Sequence, residues 1–246
     1  MILIRSLVFN AAFFAWTVSL LLAGLPLLAR GRGAMRRLAV FWARGVLRLL
    51  RVIVGARIEI RGPHLSGPRL VAAKHQSALD TMIFFLLADD AAYVMKKELA
   101  AIPLYGRCAR HQGMIFVDRD AGAAALKRLV ADARAACADG RQVVIFPQGT
   151  RTAAGAPVAD APYQPGIAAL SQALAMPTTP VALNSGLVWG RRSFLKRPGT
   201  IVIEILPDIP PGLKRAEFMR RLEDAIEGAT ARLEAEARRA DPPPGS

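Results

Sequence analysis

The chain has 246 residues, enough for one α/β domain with a buried core and an appendage. Its two cysteines, Cys108 and Cys137, lie far apart and outside any Cys-x-x-Cys or Cys/His ladder, which excludes a disulfide framework and a structural zinc site and fits a reducing compartment. Hydrophobic residues make up 53 % of the chain, mean hydropathy is +0.29, and 33 Lys plus Arg against 19 Asp plus Glu give a net charge of +14, so a lipid-facing surface that attracts anions is expected, although an arginine-rich genome alone produces the same excess.

No residue in 6–29 is charged, a length that crosses a hydrocarbon core of roughly 30 Å at about 1.5 Å per residue. The pattern predicts a spanning or deeply embedded helix. A cleaved signal peptide is the competing reading, but the segment's Ala-Gly-Leu-Pro-Leu-Leu-Ala ending offers no polar cleavage region. Arg5 precedes the segment, and Arg30, Arg32, Arg36 and Arg37 come after it, which places the chain beyond residue 29 in the cytosol. Residues 38–55 are apolar but carry Arg44, Arg48 and Arg51 at helical spacing. They form either an interfacial helix whose arginines snorkel to lipid phosphates or a domain helix whose arginines face water.

After Gly55 short strands and helices alternate. Strands are predicted at 57–60, 69–73, 93–95, 114–117, 143–146 and 179–183, and helices at 78–87, at 121–138 and from near Gly166. This order predicts an α/β fold around a largely buried sheet. Residues 152–166, rich in Ala, Pro and Gly, read as a long loop of the kind that serves as a lid. Residues 214–239 predict a charged helix with Phe218, Leu222, Ile226 and Leu233 on one stripe, and 241–246 a proline-rich disordered tail. The expected organisation is membrane-anchoring helices in 1–55, one α/β domain in 56–240 and the tail.

The densest chemistry lies in Lys74-His75-Gln76-Ser77-Ala78-Leu79-Asp80. On one continuous helix a spacing of five puts imidazole and carboxylate about 140° apart. The two meet only if His75 lies in the turn before the helix, which Ser77 allows as an N-cap, with the helix starting at Ala78 and Asp80 on its first turn. Ser77 and Asp80 also read as a capping box in which Asp80 merely satisfies backbone donors, and both readings stay open. Two apolar strands then end in polar turns, Gly113 through Asp118-Arg119 and Val143 through Phe146-Pro147-Gln148-Gly149-Thr150-Arg151. Strand ends of this kind hold ligands, Gly149 lets backbone amides approach an anion, and Arg119 and Arg151 would clamp a phosphate. Each arginine, taken singly, also fits a salt-bridged surface role. The segment Met176-Pro177-Thr178-Thr179-Pro180-Val181 by itself is only a proline-bounded strand.

Taken in order and interval, His75-x-x-x-x-Asp80, Gly113 to Arg119, Phe146 to Arg151 and Pro177 to Val181 resemble the four-block pattern of the glycerolipid acyltransferases, most of all the bacterial 1-acylglycerol-3-phosphate acyltransferases of the PlsC type, over roughly residues 70 to 185. The resemblance implies a mixed sheet flanked by helices, with the N-terminal helices as membrane attachment. It implies His75 as the base that takes the proton of a glycerol hydroxyl, with Asp80 holding the imidazole and no covalent acyl-enzyme. Arg119, Gly149, Thr150 and Arg151 would hold the acceptor's phosphate, and Pro180 would shape the pocket. It implies no metal and no cofactor, acyl-CoA or acyl-carrier protein as donor substrate, and lysophospholipid and membrane lipids as partners at the cytosolic face of the inner membrane. One departure stands out: Gln148 occupies a position that is commonly glutamate, which removes a charge, keeps a carbonyl acceptor that can hydrogen-bond a substrate hydroxyl, and can mark a different acceptor headgroup. A close variant of the reading uses the same chemistry on another acceptor, for instance a lyso-ornithine lipid. A non-catalytic protein that binds anionic lipid is the alternative of another class, and intact His75 and Asp80 argue against it. Nucleic-acid binding fits poorly, with three Tyr, three Trp and no binding motif.

Overall fold

The computed structural model describes residues 1–240 and, within them, every side chain but that of Arg119; the tail expected at 241–246 lies outside the described residues. Short apolar runs form seven strands: β1 (Ala56–Arg61), β2 (Arg69–Ala73), β3 (Ala91–Lys96), β4 (Ile115–Val117), β5 (Gln142–Ile145), β6 (Thr178–Leu183) and β7 (Gly199–Ile205). They make one sheet in the order β1-β7-β6-β2-β5-β3-β4. Neighbours are parallel except for β6 and β7, so β1 and β7 run against the other five and the sheet is mixed. Strand β7 was not among the expected strands, although Ile201, Ile203 and Ile205 alternate in it at the strand period.

Helices cover both faces. On one lie α1 (Ile2–Gly24), α2 (Arg32–Leu49), α3 (Asp80–Leu87) and the short α4 (Tyr105–His111), which sequence reading also missed; on the other lie α5 (Gly122–Ala138), α6 (Gly166–Leu174) and α7 (Arg215–Ala240). The period of two sorts β2 between them. Val71 and Ala73 join a core with Phe84 of α3, while Leu70 and Ala72 join one with Ile167 of α6 and Leu222 and Ile226 of α7. The stripe predicted on α7 is the face that packs, with Phe218, Leu222, Ile226 and Leu233 all buried.

The N-terminal helices are not a detached anchor. Phe9 of α1 and Ala43, Val46, Leu50 and Val54 of α2 and its terminal π-turn share the core of α3 and the sheet, and Arg44, Arg48 and Arg51 stand on the opposite, exposed side. The two helices interlock through Trp16, whose ring fills the space a side chain at Gly45 would occupy. Trp16 Nε1 donates to the Trp42 carbonyl at 3.2 Å, and Trp42 Nε1 donates to Thr17 Oγ1 at 3.0 Å. Helix α1 is about 34 Å long, and the domain holds it near both ends. The backbone amide of Lys196 donates to Ser6 Oγ at 2.9 Å, and Gly24 lies against Leu38 and Cys108. Its outer side presents Leu3, Leu7, Phe14, Val18 and Leu22, all exposed.

Candidate active site

Strand β2 delivers the chain to residues 74–79, which form an irregular turn, and α3 starts at Asp80, two residues later than the capping pattern predicted. The reason is visible in one carboxylate. Asp80 Oδ2 accepts from the amides of Gln76 and Ser77, each at 2.7 Å, and from His75 Nδ1 at 2.9 Å, while Oδ1 accepts from Ser185 Oγ at 2.6 Å. Ser77 Oγ in turn accepts from the Leu79 amide at 3.1 Å. The two readings left open by the sequence are therefore both present: the same oxygen closes the turn and holds the imidazole. A carboxylate already receiving two N–H groups can only accept from the ring, so Nδ1 carries the proton and Nε2 is left as the proton acceptor. Phe146 stacks on the imidazole at 4.1 Å between centroids and 19° between planes, which fixes the remaining ring rotation. Ser185, 105 residues away from Asp80, had no local signal in the sequence.

The turn after β5 meets the same histidine. Residues 146–149 close through the Gly149 amide to the Phe146 carbonyl at 2.9 Å, with Gly149 at φ +69°, a region costly for any other residue. The Thr152 amide then donates to the His75 carbonyl at 2.8 Å, so the 146–152 turn and the histidine turn are one unit. Adjacent registers explain it, since Ala72 of β2 pairs with Ile145 of β5. Gly149, Thr150 and Arg151 line a cavity together with His75.

Two expected site residues, Gln148 and Pro180, stand outside the cavity wall, and the side chain of a third, Arg119, is not described. Gln148 is buried, turns its amide to the Ala161 carbonyl at 3.0 Å and does not line the cavity, so its role is to brace the turn against the 152–166 loop. Pro180 sits within β6 opposite Ala72, in the same alternation as Ala182, which packs on α7; it is absent from the cavity wall and belongs to the scaffold. Arg119 opens a short 3-10 turn after β4, and its side chain lies outside the described structure. Three strand spacings separate β4 from β2, roughly 14 Å. Its neighbour Asp118 pairs with Lys97 at 2.7 Å, and that ammonium lowers the carboxyl pKa. The loop 152–166, expected as a lid, is fastened at Thr152, Ala161, Tyr163 and Gln164.

The cavity measures about 890 Å³, at the large end for a small-molecule site. Its wall is apolar toward Phe13, Leu20 and Leu21 of α1, Leu38 and Trp42 of α2 and Met82 and Phe85 of α3. Its charged lining is Lys96, Arg151, Arg191 and Arg192, with no Asp or Glu among the lining residues. Among the described residues, no group of three or more His, Cys, Asp and Glu side chains could hold a metal ion.

Behind the histidine lies an arrangement that sequence reasoning did not find. The extended turn points Lys74 and Gln76 away from His75, toward α7. Lys74 Nζ, 2 % exposed, donates to both oxygens of Glu227 at 2.8 and 2.7 Å, Tyr163 Oη donates to Glu227 Oε1 at 2.8 Å, and Gln76 Nε2 donates to Glu234 Oε1 at 2.8 Å. Glu227 and Glu234, seven residues apart, share one face of α7. Burial, and secondarily Glu227, raises the Tyr163 phenol pKa well above its ordinary value.

A family profile described as acyltransferase matches residues 55–184. The 1-acyl-sn-glycerol-3-phosphate acyltransferase of Pseudomonas aeruginosa is 32 % identical over 205 residues, covering 82 % of this chain and 77 % of that protein. The Helicobacter pylori protein of the same name is 31 % identical over 183 residues, covering 71 % of this chain and 73 % of its own. The crystal structure of the LPA acyltransferase PlsC from Thermotoga maritima has the same fold, with a TM-score of 0.77 at 20 % identity over 96 % of this chain and 98 % of that one. The profile match spans the histidine turn and the 146–151 turn alike, and the chain belongs to the acyltransferase family of the 1-acyl-sn-glycerol-3-phosphate acyltransferases and is an acyltransferase enzyme.

Proposed function

We propose that the enzyme moves a fatty acyl group from acyl-CoA or acyl-carrier protein to the sn-2 hydroxyl of 1-acyl-glycerol-3-phosphate, giving phosphatidic acid. The observation that carries this reading is a single cavity in which an imidazole held by a buried carboxylate shares the wall with Arg151, a purely cationic set of charges and a long apolar surface. An acceptor with an anionic head, a free hydroxyl and a fatty chain matches all three. His75 Nε2 takes the hydroxyl proton as the oxygen adds to the thioester carbonyl. The C–S bond then breaks, and the imidazolium returns the proton to the departing thiolate. Asp80 stabilises the imidazolium while it exists. Arg151 and the amides of the 149–151 turn hold the phosphate, together with Arg119. The proton acceptor, its orienting group and the anion ligands are all groups of this chain, so the reaction asks for no cofactor.

Attachment follows from α1. Because the domain grips the helix near both ends and leaves an exposed apolar stripe along its length, the helix lies along the membrane face of the domain and sinks into one leaflet instead of crossing it. The arginines after α1 favour the cytosolic leaflet of the inner membrane. The same chemistry on another acceptor, such as a lyso-ornithine lipid, is the close variant; Gln148, whose side chain engages Ala161 outside the cavity, adds no support to it. Purified enzyme given an acyl thioester and a panel of lysolipids, with products identified by mass spectrometry, tests the assignment: phosphatidic acid is expected as the main product, and turnover confined to a phosphate-free acceptor contradicts it.

A further inference from the structure

Two cavity-lining cations, Arg191 and Arg192, lie outside every block that carried the family resemblance. They are the central pair of a tight turn closed by the Ser193 amide on the Gly190 carbonyl at 3.1 Å. Arg192 has φ +54°, a conformation such turns normally give to glycine. The turn is rigidly built. The buried Lys196 ammonium donates to the carbonyls of Ser193 and Phe194, each at 2.9 Å, and Asn10 Nδ2 of α1 donates to the Phe194 carbonyl at 3.0 Å. Both arginine side chains are exposed, and among the described residues neither has an acidic partner. A preorganised pair of unpaired guanidiniums at the rim of a cavity without acids is built to receive an anion.

We propose that Arg191 and Arg192 recognise the phosphate of the acyl donor, the phosphodiester or pyrophosphate that a CoA or carrier-protein thioester bears on its pantetheine arm. The inference rests on the acyl-transfer reading above and adds the donor's subsite to it. Covalent chemistry separates the two anions that must share the cavity. The acceptor's phosphate is only a few bonds from its reacting hydroxyl and suits half-buried Arg151, one residue before the Thr152 amide that holds the His75 carbonyl. The donor's phosphate lies at the far end of a long arm from its thioester and needs cations farther out, on another segment, at the mouth. A membrane headgroup has the same chemistry, but both arginines face the cavity that contains His75.

The test is the double variant Arg191→Gln/Arg192→Gln, assayed with acyl-CoA, with acyl-carrier protein and with a phosphate-free acyl N-acetylcysteamine thioester, alongside calorimetric binding of coenzyme A to the unaltered enzyme and the variant. Expected are a rise of about tenfold or more in the KM for both phosphate-bearing donors, a matching loss of salt-sensitive coenzyme A binding, and an acceptor KM within about twofold. The preference of the unaltered enzyme for acyl-CoA over the truncated thioester shrinks by the same factor. An unchanged donor KM with unchanged coenzyme A binding overturns the proposal. So does a rise in the acceptor KM instead, which assigns the pair to the lysolipid, or a defect that appears on phosphatidylglycerol vesicles and vanishes in neutral detergent, which assigns it to the membrane. If the unaltered enzyme transfers no acyl group from any donor, the acyl-transfer reading itself fails; transfer with an indifferent variant removes only this subsite.

Discussion

The substitution Asp80→Asn separates the two tasks of one carboxylate. An asparagine oxygen in the place of Oδ2 still accepts from the Gln76 and Ser77 amides, and its amino group can donate to Ser185 Oγ, so the turn survives. The loss is the negative charge beside Nδ1, 2.9 Å away. With charge centres about 4 Å apart and an effective dielectric near 20, an imidazolium–carboxylate pair is worth about 4 kcal/mol. That charge pair exists only once the hydroxyl proton has moved, so its loss falls on the reaction step and slows it about a thousandfold. Asp80→Ala differs, because it strands two buried N–H groups at about 1–3 kcal/mol each. The assay is continuous release of CoA thiol with lysophosphatidic acid, paired with thermal melts of both variants. Expected for Asp80→Asn are kcat down by about three orders of magnitude, KM nearly unchanged and a melting temperature close to the original; Asp80→Ala loses both activity and stability. Retention of kcat within about tenfold in Asp80→Asn would leave the carboxylate as a helix cap alone.

Two further outcomes are expected from the buried groups behind the site. Glu227→Gln leaves the Lys74 ammonium buried without a counter-charge and costs about 3–5 kcal/mol, on the order of 10 °C in melting temperature, whereas the double replacement Lys74→Met/Glu227→Leu recovers most of it; equal melting of Glu227→Gln and the original chain refutes the buried pairing. All three tyrosines, Tyr93, Tyr105 and Tyr163, have pKa values raised by burial. Their folded-state values lie above the unfolded value near 10, so this stability is complete below about pH 10 and is lost as pH rises beyond it. Denaturant midpoints measured from pH 8 to 11 should fall only at the alkaline end, less steeply in Tyr163→Phe; tyrosinate absorbance in folded protein at pH 10.5 contradicts the burial argument.

Local chemistry was legible in the sequence and long-range chemistry was not. The strand runs, the α7 stripe and the His75–Asp80 pairing come from periodicity and spacing within a few residues, and each has its predicted place in the fold. The helix start moved to Asp80 because that side chain bonds three groups of the preceding turn at once, which a capping rule for two residues cannot anticipate. Gln148 stands in a turn whose next three residues, Gly149, Thr150 and Arg151, line the cavity, yet its own side chain engages Ala161, and no residue of the Pro180 segment is among the lining residues: a motif names a backbone path, and the fold decides which of its members reach the cavity. Ser185, Glu227, Glu234 and the Arg191–Arg192 turn come from 100 or more residues beyond His75, and only the order of strands in the sheet brings their segments to it. The apolar N-terminus announced a long apolar helix, while the grip of Lys196, Trp42 and Cys108 on one side of it required the folded domain.

The most direct measurement is the single-turnover rate of acyl transfer to lysophosphatidic acid by the original enzyme and by His75→Ala, compared at equal folded fraction judged by thermal melting. If His75 is the base, the original enzyme yields phosphatidic acid and His75→Ala runs at least about a thousandfold slower, with lysophosphatidic acid still bound through Arg151. A His75→Ala enzyme that stays within about tenfold of the original rate would contradict that role.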